Sequence, residues 1–137
     1  MSNVSTRLWV GAHPPIDRDL PDFDLLVLCA QEFQPQILAF HGPILRCPLP
    51  DAALDIHQIT QAVLTAKRAG DALATGQRVL VTCWAGMNRS VLVASMALAR
   101  VTRMTADQII ELMRRRRHPQ ALYNESFQGV LRRLVRR

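Results

Sequence analysis

The stretch VLVTCWAGMNRS, residues 79–90 of 137, decides how this chain is to be read. Val79, Leu80 and Val81 form a short apolar run of strand type that leads to Cys83. A loop containing Gly86 follows, and Arg89-Ser90 opens the stretch VLVASMALARV, residues 91–101. Val91, Leu92, Val93, Ala94, Met96, Ala97 and Leu98 leave that stretch apolar nearly all round, which predicts a central, buried helix.

A strand-loop-helix junction is an anion site by construction. The first amides of a helix lack internal partners, and the helix dipole adds partial positive charge at the same end. Gly86 lets the loop curl so that its amides converge. Cys83, at the base of the loop, is expected as a thiolate, and Arg89 offers a fork of donors matched to two phosphate oxygens. A nucleophile, an amide cradle and a cationic fork are what attack on a phosphate monoester requires.

Outward from this stretch, the chain shows no repeat and no low-complexity linker. TRLWVGA reads as a first strand ending at Gly11, and HPPIDRDLPDFD, with three prolines and five charges, as loop. LLVLCA, residues 25–30, is continuously apolar, as in a strand covered on both faces, and PILRCPLPD is another short strand ended by prolines. Ile56, Ile59, Val63, Ala66 and Leu73 keep helical spacing over 56–74, with Asp55 and Gln58 as a capping box and Gly76 as the stop. Thr105 and Gln108 form a second capping box, and Asn124 can cap a last helix whose stripe is Phe127, Val130, Leu131 and Leu134. The pattern predicts one α/β domain over residues 1–137. It has a short, mostly parallel central sheet, helices on both faces and a helical C-terminal half.

Composition narrows the setting. The chain is 49% hydrophobic, enough for a real core, yet no apolar run reaches the length of a membrane span. MSNVSTRLWVG lacks the basic-then-apolar order of a secretory signal, so a cytoplasmic protein is expected. Cys29, Cys47 and Cys83 are odd in number and lack metal spacing, which fits reduced thiols and no metal site. Cys29 and Cys47 each end a predicted strand and read as core residues, and a disulfide of one of them with Cys83 on oxidation is left open. The formal charge of +6 is concentrated in MRRRRHP and LRRLVRR. Solvated helix faces account for these arginines better than a nucleic-acid or acidic lipid partner, because no nucleic-acid motif accompanies them.

CWAGMNRS, Cys83 to Ser90, resembles the cysteine-x5-arginine signature of protein tyrosine phosphatases, and its AGxNRS form is similar to the dual-specificity branch. LWVGA resembles that family's opening strand, and RRRRHPQALYNESF its late arginine-proline stretch, here with His118 between the last arginine and Pro119. The resemblance implies a metal-independent mechanism without cofactor. In it Cys83 forms a phosphocysteine, and Arg89 with the amides of Trp84, Ala85, Gly86, Met87, Asn88 and Arg89 holds the phosphate oxygens. Ser90 assists departure of the thiolate, a role compatible with a plain helix cap. Thr82 stands where the family usually has histidine, and its hydroxyl can still bond to nearby backbone.

The family's general acid is an aspartate between a strand and a helix upstream of the nucleophile, a place that Asp51 and Asp55 share. Asp55 has a capping partner and Asp51 follows Pro48-Leu49-Pro50, so Asp51 is assigned as the acid and Asp55 as the cap. No separate phosphotyrosine-recognition loop is found, which implies a shallow cleft open to phosphoserine and phosphothreonine as well as phosphotyrosine on a protein or peptide. Asn124 has a possible second task in bracing the phosphate loop. The loop carries no lysine, which argues against a polyphosphorylated inositol head. The competing readings are a phosphatase for RNA 5′ ends, nucleotides or phosphoinositides, and a catalytically silent phosphopeptide-binding module. The expected state is a monomer.

Overall fold

In the computed structural model, which describes residues 1–137, the apolar run LLVLCA forms a strand with every residue buried. The elements, in chain order, are β1 (Ser2–Ser5), β2 (Leu8–Gly11), β3 (Leu25–Ala30), β4 (Ile44–Leu49), α1 (Ile56–Ala74), β5 (Val79–Thr82), α2 (Arg89–Val101), α3 (Ala106–Arg116) and α4 (Glu125–Leu134). The strands make one sheet in the order β1-β2-β5-β3-β4. Only β1 and β2 are antiparallel; β2–β5, β5–β3 and β3–β4 are parallel. The mostly parallel α/β sheet and the helical C-terminal half are as the sequence predicts. No helix is long and apolar enough to cross a membrane.

Alternation along the strands builds two unequal cores. Leu25, Val27, Cys29, Val79 and Val81 face the large core, which also takes residues from all four helices. Leu26, Leu28 and Leu80 face the other way and pack with Phe40, edged by Trp9, Leu20, Phe23, Phe33, Leu38 and Ile44. That second face is therefore roofed by connecting loops, whereas the sequence pattern predicts helices on both faces. The reason lies in the roof itself: Pro14, Pro15, Pro21, Pro35 and Pro43 punctuate those connections and resist helix.

Two further details differ from expectation. TRLWVGA contains a hairpin turn, with Arg7 at φ 62°, so that β1 precedes the expected first strand. Tight hairpins usually advertise such a position with glycine or asparagine, and none stands here. Helix α1 has the predicted bounds and the Asp55–Gln58 capping box, but Ile56 is 69% exposed and Val63 is also exposed. It buries Ala62, Ala66, Ala69 and Gly70, because small residues allow close approach to α2. A Cβ on Gly70 would lie only 3.2 Å from the Ala97 carbonyl oxygen. Helix α3 begins on the Thr105–Gln108 capping box. Asn124 caps α4, whose Phe127, Val130 and Leu131 are buried while Leu134 is 48% exposed.

Candidate active site

Parallel strands end on one edge of a sheet, and that edge is where this fold gathers its reactive side chains. Gly11 of β2 and Leu28 of β3 both pair with Thr82 of β5, and Ala30 of β3 pairs with Leu49 of β4. The segments that follow these four strands carry His13, Glu32 and Phe33, Asp51, and Cys83. The register of the sheet thus brings together residues far apart in the chain.

The loop after β5 turns its carbonyls outward one after another. Trp84 C=O accepts from His13 N–H at 3.2 Å, and Met87 C=O from Leu122 N–H at 2.7 Å. Arg117 serves the two between them, its Nε donating to Gly86 C=O at 3.0 Å and Nη2 to Ala85 C=O at 3.2 Å. A trans peptide points its C=O and N–H in opposite directions, and the chain has no cis peptide. The amides of Ala85, Gly86, Met87 and Asn88 are therefore turned inward. Gly86 N–H shows the result directly, donating to Cys83 Sγ at 3.2 Å. Gly86 sits at φ +71°, and a Cβ there would lie 2.6 Å from Gly11 C and 2.5 Å from Arg117 Nη2, so glycine is required on both counts.

Cys83 is buried at the centre of this loop, with Ser90 Oγ 3.1 Å from its Sγ. The helix cap and the thiol contact are separate tasks here, since Asn88 occupies the N-cap position of α2. Thr82 is buried and its hydroxyl donates to Val27 C=O at 3.1 Å, the backbone bond its residue type allows. Cys29 and Cys47 are buried free thiols, as expected of core residues. Burial pushes both thiols up, with neighbouring Cys47 and Cys83 adding to the effect at Cys29.

Arg89 is the first residue of α2 and is almost wholly buried. Its guanidinium makes a two-point ion pair with Glu32, through Nη1 to Oε1 and Nη2 to Oε2, the latter at 2.8 Å. Nη1 also donates to Leu49 C=O at 2.9 Å. Nε is buried without a partner. The guanidinium beside Glu32 holds its carboxyl below the usual glutamate range against the opposing effect of partial burial. Glu32 in turn raises Arg89, against desolvation. Three of its five N–H donors are thus committed to fixing its plane, and Nε–H and the second Nη2–H are left open.

Asp51 and Asp55, four residues apart, have different surroundings. Asp55 accepts from Gln58 N–H at 2.9 Å and its own N–H donates to Gln58 Oε1 at 2.9 Å. Asp51 lies at the exposed edge of the site, where Asn88 Nδ2 donates to Oδ2 and Asn124 Nδ2 to Oδ1, each at 3.2 Å. Asn124 N–H also donates to Asn88 Oδ1 at 3.0 Å. Asn88 and Asn124 therefore tie the Asp51 loop, the Cys83–Ser90 loop and the start of α4 together.

The structure brings Cys83, Arg89 and Ser90 together and links Asp51 to their loop through Asn88. It adds residues that the sequence pattern does not single out. Glu32 grips Arg89, Arg117 braces the loop carbonyls, and His13 stacks on Trp84 with ring centroids 4.3 Å apart. In the sequence Arg117 is one of a run of arginines that reads as solvated. Its position at a helix end gives no sign of the loop 31 residues earlier.

Comparison with known proteins agrees with this geometry. The family model described as the dual specificity phosphatase catalytic domain matches residues 22–137. Human DUSP28 superimposes with a TM-score of 0.83 at 22% identity, over 97% of this chain and 94% of that one. A mouse putative dual specificity phosphatase, solved with zinc tungstate, gives 0.73 at 22% identity over 97% and 87%. DUSP15 gives 0.75 at 17% identity over 96% and 85%. At such identities the structures speak for the fold, and no curated protein matches the chain significantly. The family model, which spans most of the chain including the whole Cys83–Ser90 loop, carries the conclusion that the chain belongs to the dual-specificity phosphatase family and is a cysteine-based protein phosphatase.

Proposed function

We propose that residues 1–137 act as one catalytic domain that hydrolyses phosphotyrosine, phosphoserine and phosphothreonine on proteins through a phosphocysteine intermediate. The observation that carries this reading is the buried, unpartnered Nε of Arg89 beside a loop whose amides turn toward Cys83. A buried donor without an acceptor is costly, and a phosphate oxygen would satisfy it.

Cys83 thiolate attacks phosphorus, forming the S–P bond as the bond to the ester oxygen breaks. Asp51 protonates that oxygen, since an alkoxide leaves poorly. The inward amides and Arg89 hold the equatorial oxygens, with Glu32 fixing the plane of the guanidinium. In the second step Asp51 carboxylate takes a proton from water, the water oxygen bonds to phosphorus, and the S–P bond breaks. Ser90 hydroxyl, in contact with Sγ, assists the departing thiolate. Inorganic phosphate and the starting enzyme result.

A nucleic-acid substrate draws less support, because many of the arginines serve their own chain. Arg114 donates to Ala121 and Leu122 carbonyls, Arg132 to Asp107, and Arg137 to Thr102 and Met104 carbonyls. The test is Cys83→Ser, assayed with chelator on the three phosphoamino-acid peptides, phosphoinositides and 5′-phosphorylated RNA. Turnover should vanish while vanadate still raises the melting temperature, because the amides and Arg89 remain. Appreciable turnover by the serine variant would remove the covalent mechanism.

A further inference from the structure

We infer that Trp84, His13 and Phe33 form an aromatic wall beside the nucleophile that makes phosphotyrosine the favoured substrate over phosphoserine and phosphothreonine. The inference rests on the protein-phosphatase reading above and names the substrate class of that same site. Trp84 directly follows Cys83, and its side chain remains 50% exposed. The His13 ring stacks on it at 4.3 Å and 30°. Phe33 lies 5.2 Å from His13 and meets Trp84 edge-on, with centroids 6.5 Å apart.

The wall is anchored at every member. His13 N–H bonds to the Trp84 carbonyl, so the stacked pair is stitched through the phosphate loop itself. Phe33 follows Glu32, whose carboxylate grips Arg89, and Phe33 N–H donates to Ala30 C=O at 3.1 Å. Gln34 Nε2 secures the same turn by donating to the Leu28 and Ala30 carbonyls. A rigid aromatic surface loses little entropy when a second ring is laid against it.

Substrate geometry supplies the discrimination. With phosphorus held over Cys83, the ester oxygen of phosphotyrosine bears a flat ring, which extends along a neighbouring wall. In phosphoserine and phosphothreonine the same oxygen bears one short carbon and then the peptide backbone. These offer no π-face to Trp84 and bring polar amides toward an apolar surface. None of the variable loop residues Trp84, Ala85, Met87 and Asn88 is charged, so no ionic contact in the loop competes with the ring.

The test compares kcat/KM for one peptide sequence carrying either phosphotyrosine or phosphothreonine. Wild-type protein should favour phosphotyrosine. Trp84→Ala should lower that ratio about tenfold, the upper range for one aromatic pair. Phe33→Ala should lower it about threefold, and Trp84→Phe, which keeps a ring, should retain most of it. The readout is a ratio because a loosened loop or a less stable fold slows both substrates alike. A ratio unchanged in Trp84→Ala and Phe33→Ala overturns the inference and leaves the phosphatase reading standing. Turnover of neither peptide by wild-type protein overturns both. Binding tests the wall independently of turnover, in Cys83→Ser combined with Trp9→Phe, where Trp84 is the sole tryptophan. The phosphotyrosine peptide should change its fluorescence more than the phosphothreonine peptide, and equal changes count against the wall.

Discussion

The N-termini of α1 and α2 face the same physical problem and solve it in opposite ways. Each helix begins with amides that have no partner inside it. Helix α1 closes its end with Asp55 and Gln58, as α3 does with Thr105 and Gln108 and α4 with Asn124. Helix α2 has Asn88 at the N-cap position, yet Asn88 makes no capping bond; its side chain reaches instead to Asp51 and Asn124. A closed end contributes stability alone. An open end, with a buried cysteine and a fixed guanidinium beside it, is left for an anion to complete.

The largest expected break in that contrast is at the open end. Arg89→Lys should lower kcat/KM on a phosphopeptide by about 10²–10³-fold, since an ammonium offers no fork and leaves Glu32 and the phosphate competing for one point charge. Asp51→Asn should slow an alkyl phosphate by about 10²-fold, and an aryl phosphate with an acidic phenol less, because only the alkoxide needs the proton. At the closed end the effect should be smaller and of another kind. Asp55→Ala should cost about 1 kcal/mol in a denaturant melt with rates nearly intact. A defect in Asp55→Ala that grows with leaving-group pKa, beside a near-normal Asp51→Asn, would exchange the two assignments.

What is legible in the sequence is local. The capping boxes at Asp55 and Thr105 span three residues, and the strand, cysteine, glycine and arginine of residues 79–90 lie in one short segment, so their spacing carries their geometry. What stays hidden is long-range or unsigned. Glu32 lies 57 residues from Arg89 inside AQEFQ, an ordinary polar loop. The β1–β2 turn places Arg7 at a positive φ without the glycine that would announce it. Helical spacing points the buried face of α1 wrongly at Ile56 and Val63, because large apolar residues mark a core face only where the neighbour keeps its distance. Alanine and glycine do so where two helices touch.

The burial of α2 has an electrical consequence. Its residues Arg89 to Ala99 are all buried, so sheet and helices, rather than water, surround most of its length. A peptide dipole in such a low-permittivity sleeve keeps a field that mobile ions enter only at the open mouth. At the far end Arg137 sets a guanidinium against the Ala99 carbonyl. The two helix ends are thus sheltered to different degrees, and added salt should dim the exposed surface arginines well before it dims the field at the Cys83–Ser90 loop.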